Sequence, residues 1–294
     1  MPLAKKIPIP QTQAKFIDDM TLGIALDLEK ILIKNPDPNP ILPLNFHNRT
    51  GHVLQRDTNL MQKELNALML YVQEKQMKIN VSKSNVMLFN PKKSIDFMPQ
   101  LSLGNETNLD VVESTKLLGV MLRSDLKWKD NTEYICKRAY IRLYMLRRLK
   151  GLGASTAELF DVYRQQVVSV LELSVPVWSP ALTQHEVAQI ERVQKAALHI
   201  ILGNEFITYD EALHRLELDT LSDRRYKICL KFAIKTSKSP KFNQWFTKHE
   251  PNQGIQTRSE NQKSIFKPVY TRTKRYEKST IPYLTNLLNN CDLS

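Results

Sequence analysis

The feature that most constrains this chain is a change of hydrophobic period near Trp128–Asn131. Beyond it, apolar side chains recur at intervals of three and four. Ile135, Ala139, Leu143, Leu146 and Leu149 form one stripe, and Val187, Ile190, Gln194, Ala197 and Ile201 form another. That interval holds side chains on one face of an α-helix, so each stripe predicts a helix with one buried side. Before the change the apolar runs are short, strand-favouring and separated by polar or proline turns: Asn85–Phe89, Leu101–Leu103, Leu109–Val112 and Leu117–Leu122. One longer stripe (Leu54, Thr58, Met61, Leu65, Leu68, Val72) predicts a helix over Val53–Gln76. The expectation is an α+β chain: mixed elements over roughly the first 125 residues, then a helical bundle.

Local signals place the boundaries. Gly151 reads as a helix C-cap, and Ser155 or Thr156 with Glu158 opens the next helix, which runs until Pro176. Thr183 with Glu186 is a capping box, Gly203 ends that helix, and a further helix covers Leu221–Thr236. Gly119 inside an apolar run marks a hairpin bend or a close backbone approach. Asn35–Pro43 is a proline- and asparagine-rich loop. Ala14–Ala25 reads as a hairpin with Asp18 and Asp19 at its tip. Three regions follow: 1–128, 129–236, and a basic, partly disordered extension over 237–294.

A formal charge of +12 and a pI near 9.5 favour polyanionic partners, nucleic acid before an anionic membrane surface. The charge is clustered. Lys137, Arg138, Arg142, Arg147, Arg148 and Lys150 follow one another with no acid between them, and Tyr140 and Tyr144 are interleaved. From Lys235 to Lys278 eleven basic residues face three acids. Such segments read either as solvated faces or as a phosphate-tracking surface with rings available for stacking. Cys136, Cys229 and Cys291 form no C-x-x-C pair, which points to reduced thiols in an intracellular (cytoplasmic or nuclear) protein. No secretory h-region or membrane-length apolar run occurs, so no membrane partner is expected, and the N-x-S/T triplets at Asn48, Asn80 and Asn105 are chance matches. The six histidines lack metal spacing, and no phosphate-binding glycine loop or serine nucleophile elbow is present.

Adjacent carboxylates repel, so a protein that holds two together commonly neutralises them with a cation. Oxygen-only ligands favour magnesium, which shares its shell with substrate phosphates. The segments around and after Asp18-Asp19 give this a family context. Lys15-Phe-Ile-Asp-Asp-Met-Thr-Leu22 resembles the aromatic-x-Asp-Asp palm hairpin of non-long-terminal-repeat (LINE-type, jockey-like) retrotransposon reverse transcriptases. Met77-Lys-Ile-Asn-Val-Ser-Lys-Ser-Asn-Val-Met-Leu-Phe89 resembles the next palm motif. Lys116-Leu-Leu-Gly-Val-Met-Leu-Arg-Ser-Asp-Leu-Lys-Trp128 is similar to the hairpin that grips the primer terminus. Pro176-Val-Trp-Ser-Pro180, Glu191-Arg-Val-Gln-Lys-Ala-Ala197, Tyr209-Asp-Glu-Ala-Leu213, Thr220-Leu-Ser-Asp-Arg-Arg225 and Arg272-Thr-Lys-Arg-Tyr-Glu-Lys-Ser-Thr-Ile-Pro-Tyr-Leu284 resemble thumb and later signatures.

The resemblance implies a partial palm of short antiparallel strands plus a helix, followed by a helical thumb-like bundle and a basic tail. It makes Asp18 and Asp19 magnesium ligands, Lys83 a basic residue near the leaving phosphate, and Leu118 and Gly119 the primer grip. The partners it implies are an RNA template and a DNA primer. Phe16 and Ile17 depart from the commoner Tyr and Ala or Val, yet both fit a strand. The larger departure is the palm aspartate that precedes this motif in the family: only 17 residues precede Asp18, none of them acidic. Two carboxylates without a third ligand do not fix two metals, so the expectation is a truncated RNA-directed DNA polymerase, inactive alone. The alternative is a non-catalytic nucleic-acid-binding module built from the helical region and the basic tail.

Overall fold

The computed structural model describes residues 44–76, 79–89, 97–104, 107–248 and 265–291, together with the strand residues 14–15 and 20–21. The fold is mixed α+β, and the chain groups into two compact units: 1–118 with 122–126, and 119–121 with 127–294.

In the first unit β1 (Ala14–Lys15) pairs antiparallel with β2 (Met20–Thr21), Lys15 opposite Met20. Helix α1 (Leu44–Glu74) starts earlier than its apolar stripe indicated, because the residues before Val53 are mostly polar and leave no stripe to read. Leu65 forms a small core with Leu101 and Leu103, against which Met61, Leu68, Met69, Ile79, Val86 and Leu109 pack. The amide of Gln62 on α1 acts like a strand neighbour to β4 (Ser102–Leu103). It donates to the Ser102 carbonyl and accepts from the Ser102 N–H, each at 2.9 Å. β4 also pairs antiparallel with β5 (Thr107–Asn108).

The strand expectations need one correction. The run Asn85–Phe89 contributes only β3 (Asn85–Val86), and its partner β6 (Asp110–Val111) runs parallel to it. The palm resemblance implied short antiparallel strands. The intervening segment that carries β4 and β5 returns the chain in the original direction, which is what a parallel pair requires. The run Leu117–Leu122 turns at the hairpin bend that Gly119 marked, between β7 (Ser114–Leu117) and β8 (Val120–Arg123). Its two linking residues, Leu118 and Gly119, have φ of +48° and +87°. Positive φ at both centres is the requirement of a tight two-residue hairpin turn whose twist matches its strands.

The second unit is helical. Helix α2 (Lys129–Gly151) buries Ile135, Cys136, Ala139, Leu143 and Leu146. Gly151 lies inside its last turn, and Gly153, at φ +86°, takes the left-handed position expected of Gly151. Helix α3 (Thr156–Val162) opens on a capping box: Ser155 Oγ accepts from the Glu158 N–H, and Glu158 accepts from the Ser155 N–H at 2.8 Å. It continues as a π-helical segment (Tyr163–Val168) into α4 (Ser169–Leu171). The helix expected to reach Pro176 therefore stops sooner, where Ser174 adopts φ +52°. Pro176 instead sits in the first turn of α5 (Val175–Trp178), where a missing N–H leaves no broken hydrogen bond. Helix α6 (Gln184–Leu202) has the expected capping box at Thr183 and Glu186, and ends at Gly203. Helix α7 (Tyr209–Arg215) buries only Ala212 and Leu213, too little to leave a readable stripe. Helix α8 (Leu221–Ser237) follows, then α9 (Lys274–Glu277) and α10 (Thr280–Asn290).

The core of this unit lies where α2 meets α6 and where α8 meets α5 and α10, with Trp178, Tyr163, Ile190, Leu198, Leu284 and Leu288 almost fully buried. Helix α10 lies within the region read from sequence as a basic extension, and it packs on α8. Thr280 Oγ1 donates to the Pro176 carbonyl at 3.2 Å, and Trp178 Nε1 to the Leu173 carbonyl at 2.8 Å.

A polar network ties α6, α7 and α8 together around Glu191. Its carboxylate accepts from Tyr209 Oη at 2.8 Å, from the N–H of Ser222 at 2.7 Å and from that of Leu221 at 3.3 Å. Gln194, fully buried, accepts from Tyr209 Oη and the Leu221 N–H and donates to the Asp219 carbonyl. Glu191 thus places negative charge at the N-terminus of α8, where free N–H groups and the helix dipole favour it. The guanidinium of Arg225, almost fully buried, lies 3.7 Å from Glu191, and its Nη1 is without a hydrogen-bond partner among the described residues. Burial lowers its pKa from the ordinary arginine value, opposed by the Glu191 charge.

Candidate nucleic-acid interface

The six basic residues expected to track phosphate all lie on α2, but they are not equivalent. Lys137, Arg147 and Arg148 are exposed and have no acidic partner among the described residues. Arg138 is half-buried over its neighbour one turn back, its guanidinium 5.5 Å from the Tyr134 ring centre and donating to Tyr134 Oη at 3.3 Å.

Arg142 and Lys150 have structural duties that sequence reading missed. Arg142 donates to the Gln166 carbonyl, within the π-helical segment, and to Ser169 Oγ at 3.4 Å. A π-helical turn is wider than an α-turn, and Arg142 satisfies a carbonyl there from the neighbouring helix. Lys150 donates to the carbonyls of Ile200 at 2.5 Å and Ile201 at 3.3 Å, the last turn of α6. A cation at that position satisfies orphan carbonyls and suits the negative end of the helix dipole. Nothing in the local sequence marks either bond, because each partner lies at least 24 residues away.

Arg147 and Lys150 meet at an open pocket of about 460 Å³, lined also by His199, Ile200, Gly203, Asn204 and Phe206. The His199 and Phe206 rings lie 5.1 Å apart at 50°. On the outer side of α2, Tyr140 and Tyr144 are exposed beside Ile141 and Met145. Glu133, the acid nearest the N-terminal end of this surface, lies 3.8 Å from Lys129.

The expected polymerase residues are spread between the units. Asp18 and Asp19 lie outside the described residues, in the interval between β1 and β2. Lys83 ends a short 3₁₀ turn (Val81–Lys83), exposed, and its N–H donates to the Asn80 carbonyl at 3.2 Å. Leu118 is exposed at the hairpin turn. A Cβ added to Gly119 would lie 2.8 Å from Leu173 Cδ2, so the close approach this glycine permits is to a side chain of its own unit. Among the described residues, no group of three or more His, Cys, Asp or Glu side chains is placed to hold a metal.

Cys136 and Cys229 are buried, and desolvation pushes each thiol up to about 11, with Arg225 opposing. The charged thiolate is the reactive form, so burial keeps both inert. No described helix is long and apolar enough to cross a membrane. No protein-family model, curated protein or solved structure matches this chain. What fold and surface define is an α+β chain whose helical unit exposes a basic, aromatic helix face.

Proposed function

We propose that this chain derives from the reverse transcriptase of a non-long-terminal-repeat retrotransposon, and that its helical unit serves as a nucleic-acid-binding module. The observation that carries the binding reading is the outer side of α2. Lys137 and Arg148 stand exposed there and Arg147 at the flank beside Lys150, all three with no acidic partner among the described residues, on a chain of net charge +12. Unpaired cations on one rigid element fit a polyphosphate backbone, since each phosphate neutralised releases condensed counterions. Lineage rests on the ordered motifs, and one arrangement supports it. Glu191, Gln194, Tyr209, Leu221, Ser222 and Arg225 belong to three resembling segments, and they meet in one network. Thr280 and Pro176, from two more, bond to each other.

The test is binding to an RNA–DNA primer–template over a salt series. Affinity should fall steeply between roughly 50 and 200 mM salt, and removing Lys137, Arg147 and Arg148 should flatten the slope by about one per residue. Salt-insensitive binding would sink the reading. In the ancestral polymerase reading, Asp18 and Asp19 hold magnesium and Lys83 lies near the leaving phosphate. Primer extension with magnesium tests it: absence of incorporation would leave the binding reading alone. Incorporation lost in Asp18→Asn would establish the activity instead.

A further inference from the structure

We propose that the outer face of α2 takes an unpaired nucleic-acid strand, with Tyr140 and Tyr144 as platforms for its bases. The inference rests on the nucleic-acid-binding reading and names the ligand class. Lys137, Tyr140, Ile141, Tyr144 and Arg148 fall at helical spacing on one stripe. Tyr140 is 43% exposed, Ile141 63% and Tyr144 61%. Neither tyrosine ring has a ring, cation or hydrogen-bond partner among the described residues. Elsewhere in this unit Tyr134 lies under Arg138, Phe160 beside Tyr163 and Arg164, Phe206 on His199, and Tyr209 on Glu191, while Tyr226, Tyr270 and Tyr276 are also exposed. Tyr140 and Tyr144 are set apart by position: they share one stripe of a single helix with Lys137 and Arg148.

Spacing and polarity select the ligand. Along an α-helix Tyr140 and Tyr144 are about 6 Å apart, and Lys137 and Arg148 about 16 Å. Stacked bases rise about 3.4 Å, so each ring meets a separate base only if the strand is opened out. A closed duplex offers phosphates rather than base faces, and would press Ile141 and Met145 against charge with no compensating contact. An unpaired strand exposes base faces to the rings and leaves its flanking phosphates to Lys137 and Arg148. A second copy of this chain fits poorly. Two-fold packing of this face would set Lys137 opposite Arg148 of the other copy, like charge against like.

The experiment uses the full chain and fluorescence anisotropy, with a labelled single-stranded RNA of about 12 nucleotides and a duplex of equal length. The single strand should bind more tightly. Tyr140→Ala and Tyr144→Ala should each weaken it roughly 5- to 100-fold, while Tyr→Phe at either position preserves it, because the ring face and not the hydroxyl is used. Duplex binding should be unchanged in all four variants. Both positions are exposed, so unchanged thermal melting will show that the fold is retained. Equal loss on both ligands, or no loss on either, overturns the inference. So does a dimer, seen by sedimentation, that Tyr144→Ala abolishes. Binding of duplex alone overturns it while the broader reading stands, whereas binding of neither ligand removes both.

Discussion

Gly119 stands at φ +87°, with Leu173 Cδ2 2.8 Å from where a Cβ would lie. Gly119→Ala combines a left-handed backbone penalty with a steric one and should cost about 2 kcal/mol, measured by urea denaturation. Sequence flagged this glycine as a bend or a close approach, and both hold. At Lys150 sequence was less informative: it grouped the residue with the phosphate-tracking cations, although its ammonium caps α6. Lys150→Ala should lower stability by about 1 kcal/mol, whereas Lys137→Ala should leave stability unchanged and weaken nucleic-acid binding. Comparing melting temperature with binding slope for the two variants separates the roles. A lysine in a basic run looks the same whether it serves solvent, phosphate or a distant carbonyl.

Helix termini were legible because caps are local. The Thr183–Glu186 box formed as read, and of the two candidates Ser155 and Thr156 it is Ser155 that caps α3, in a box with Glu158; each box needs only partners three residues apart. The Glu158 carboxyl is held below its ordinary 4.5 by the Ser155 hydroxyl and then by the Ser155 N–H. A depressed carboxyl pKa contributes stability above the unfolded value, and loses it as pH falls through the folded value. The α3 N-terminus should therefore fray on acidification below about pH 4.5. Amide exchange at Glu158 will show this, and Ser155→Ala should weaken the pH dependence, because it removes the hydroxyl and leaves only the backbone N–H to hold the carboxylate. Where the helix stopped was less legible. Arg142 bonds into the π-helical segment from a distant part of the chain, and neither that segment nor the break at Ser174 has a local signature.

At the scale of the whole molecule, 265–291 changes most between sequence and structure. Charge made 237–294 read as an extension, yet Leu284 and Leu288 are fully buried and α10 packs on α8. Leu284→Ala should destabilise the helical unit by about 3 kcal/mol, through lost burial and a residual cavity. A chain in which 265–291 is only a tail would show no loss in denaturant midpoint. The apolar run Ile281–Leu288 was visible in the sequence, but the face it covers belongs to a helix some sixty residues earlier, and no local pattern names that partner.

By itself the sequence determined the change of period near Trp128, the capped helix starts, the hairpin glycine, the basic balance and the ordered motifs. Each depends on near neighbours or on composition, so the order of residues is sufficient. Tertiary structure decided the parallel pairing of β3 with β6, the attachment of α10 to α8, and which cations of α2 remain free. It also decided that Glu191, Tyr209 and Arg225 meet. These rest on contacts between residues distant in the chain, whose energies arise only when packing has removed the intervening water.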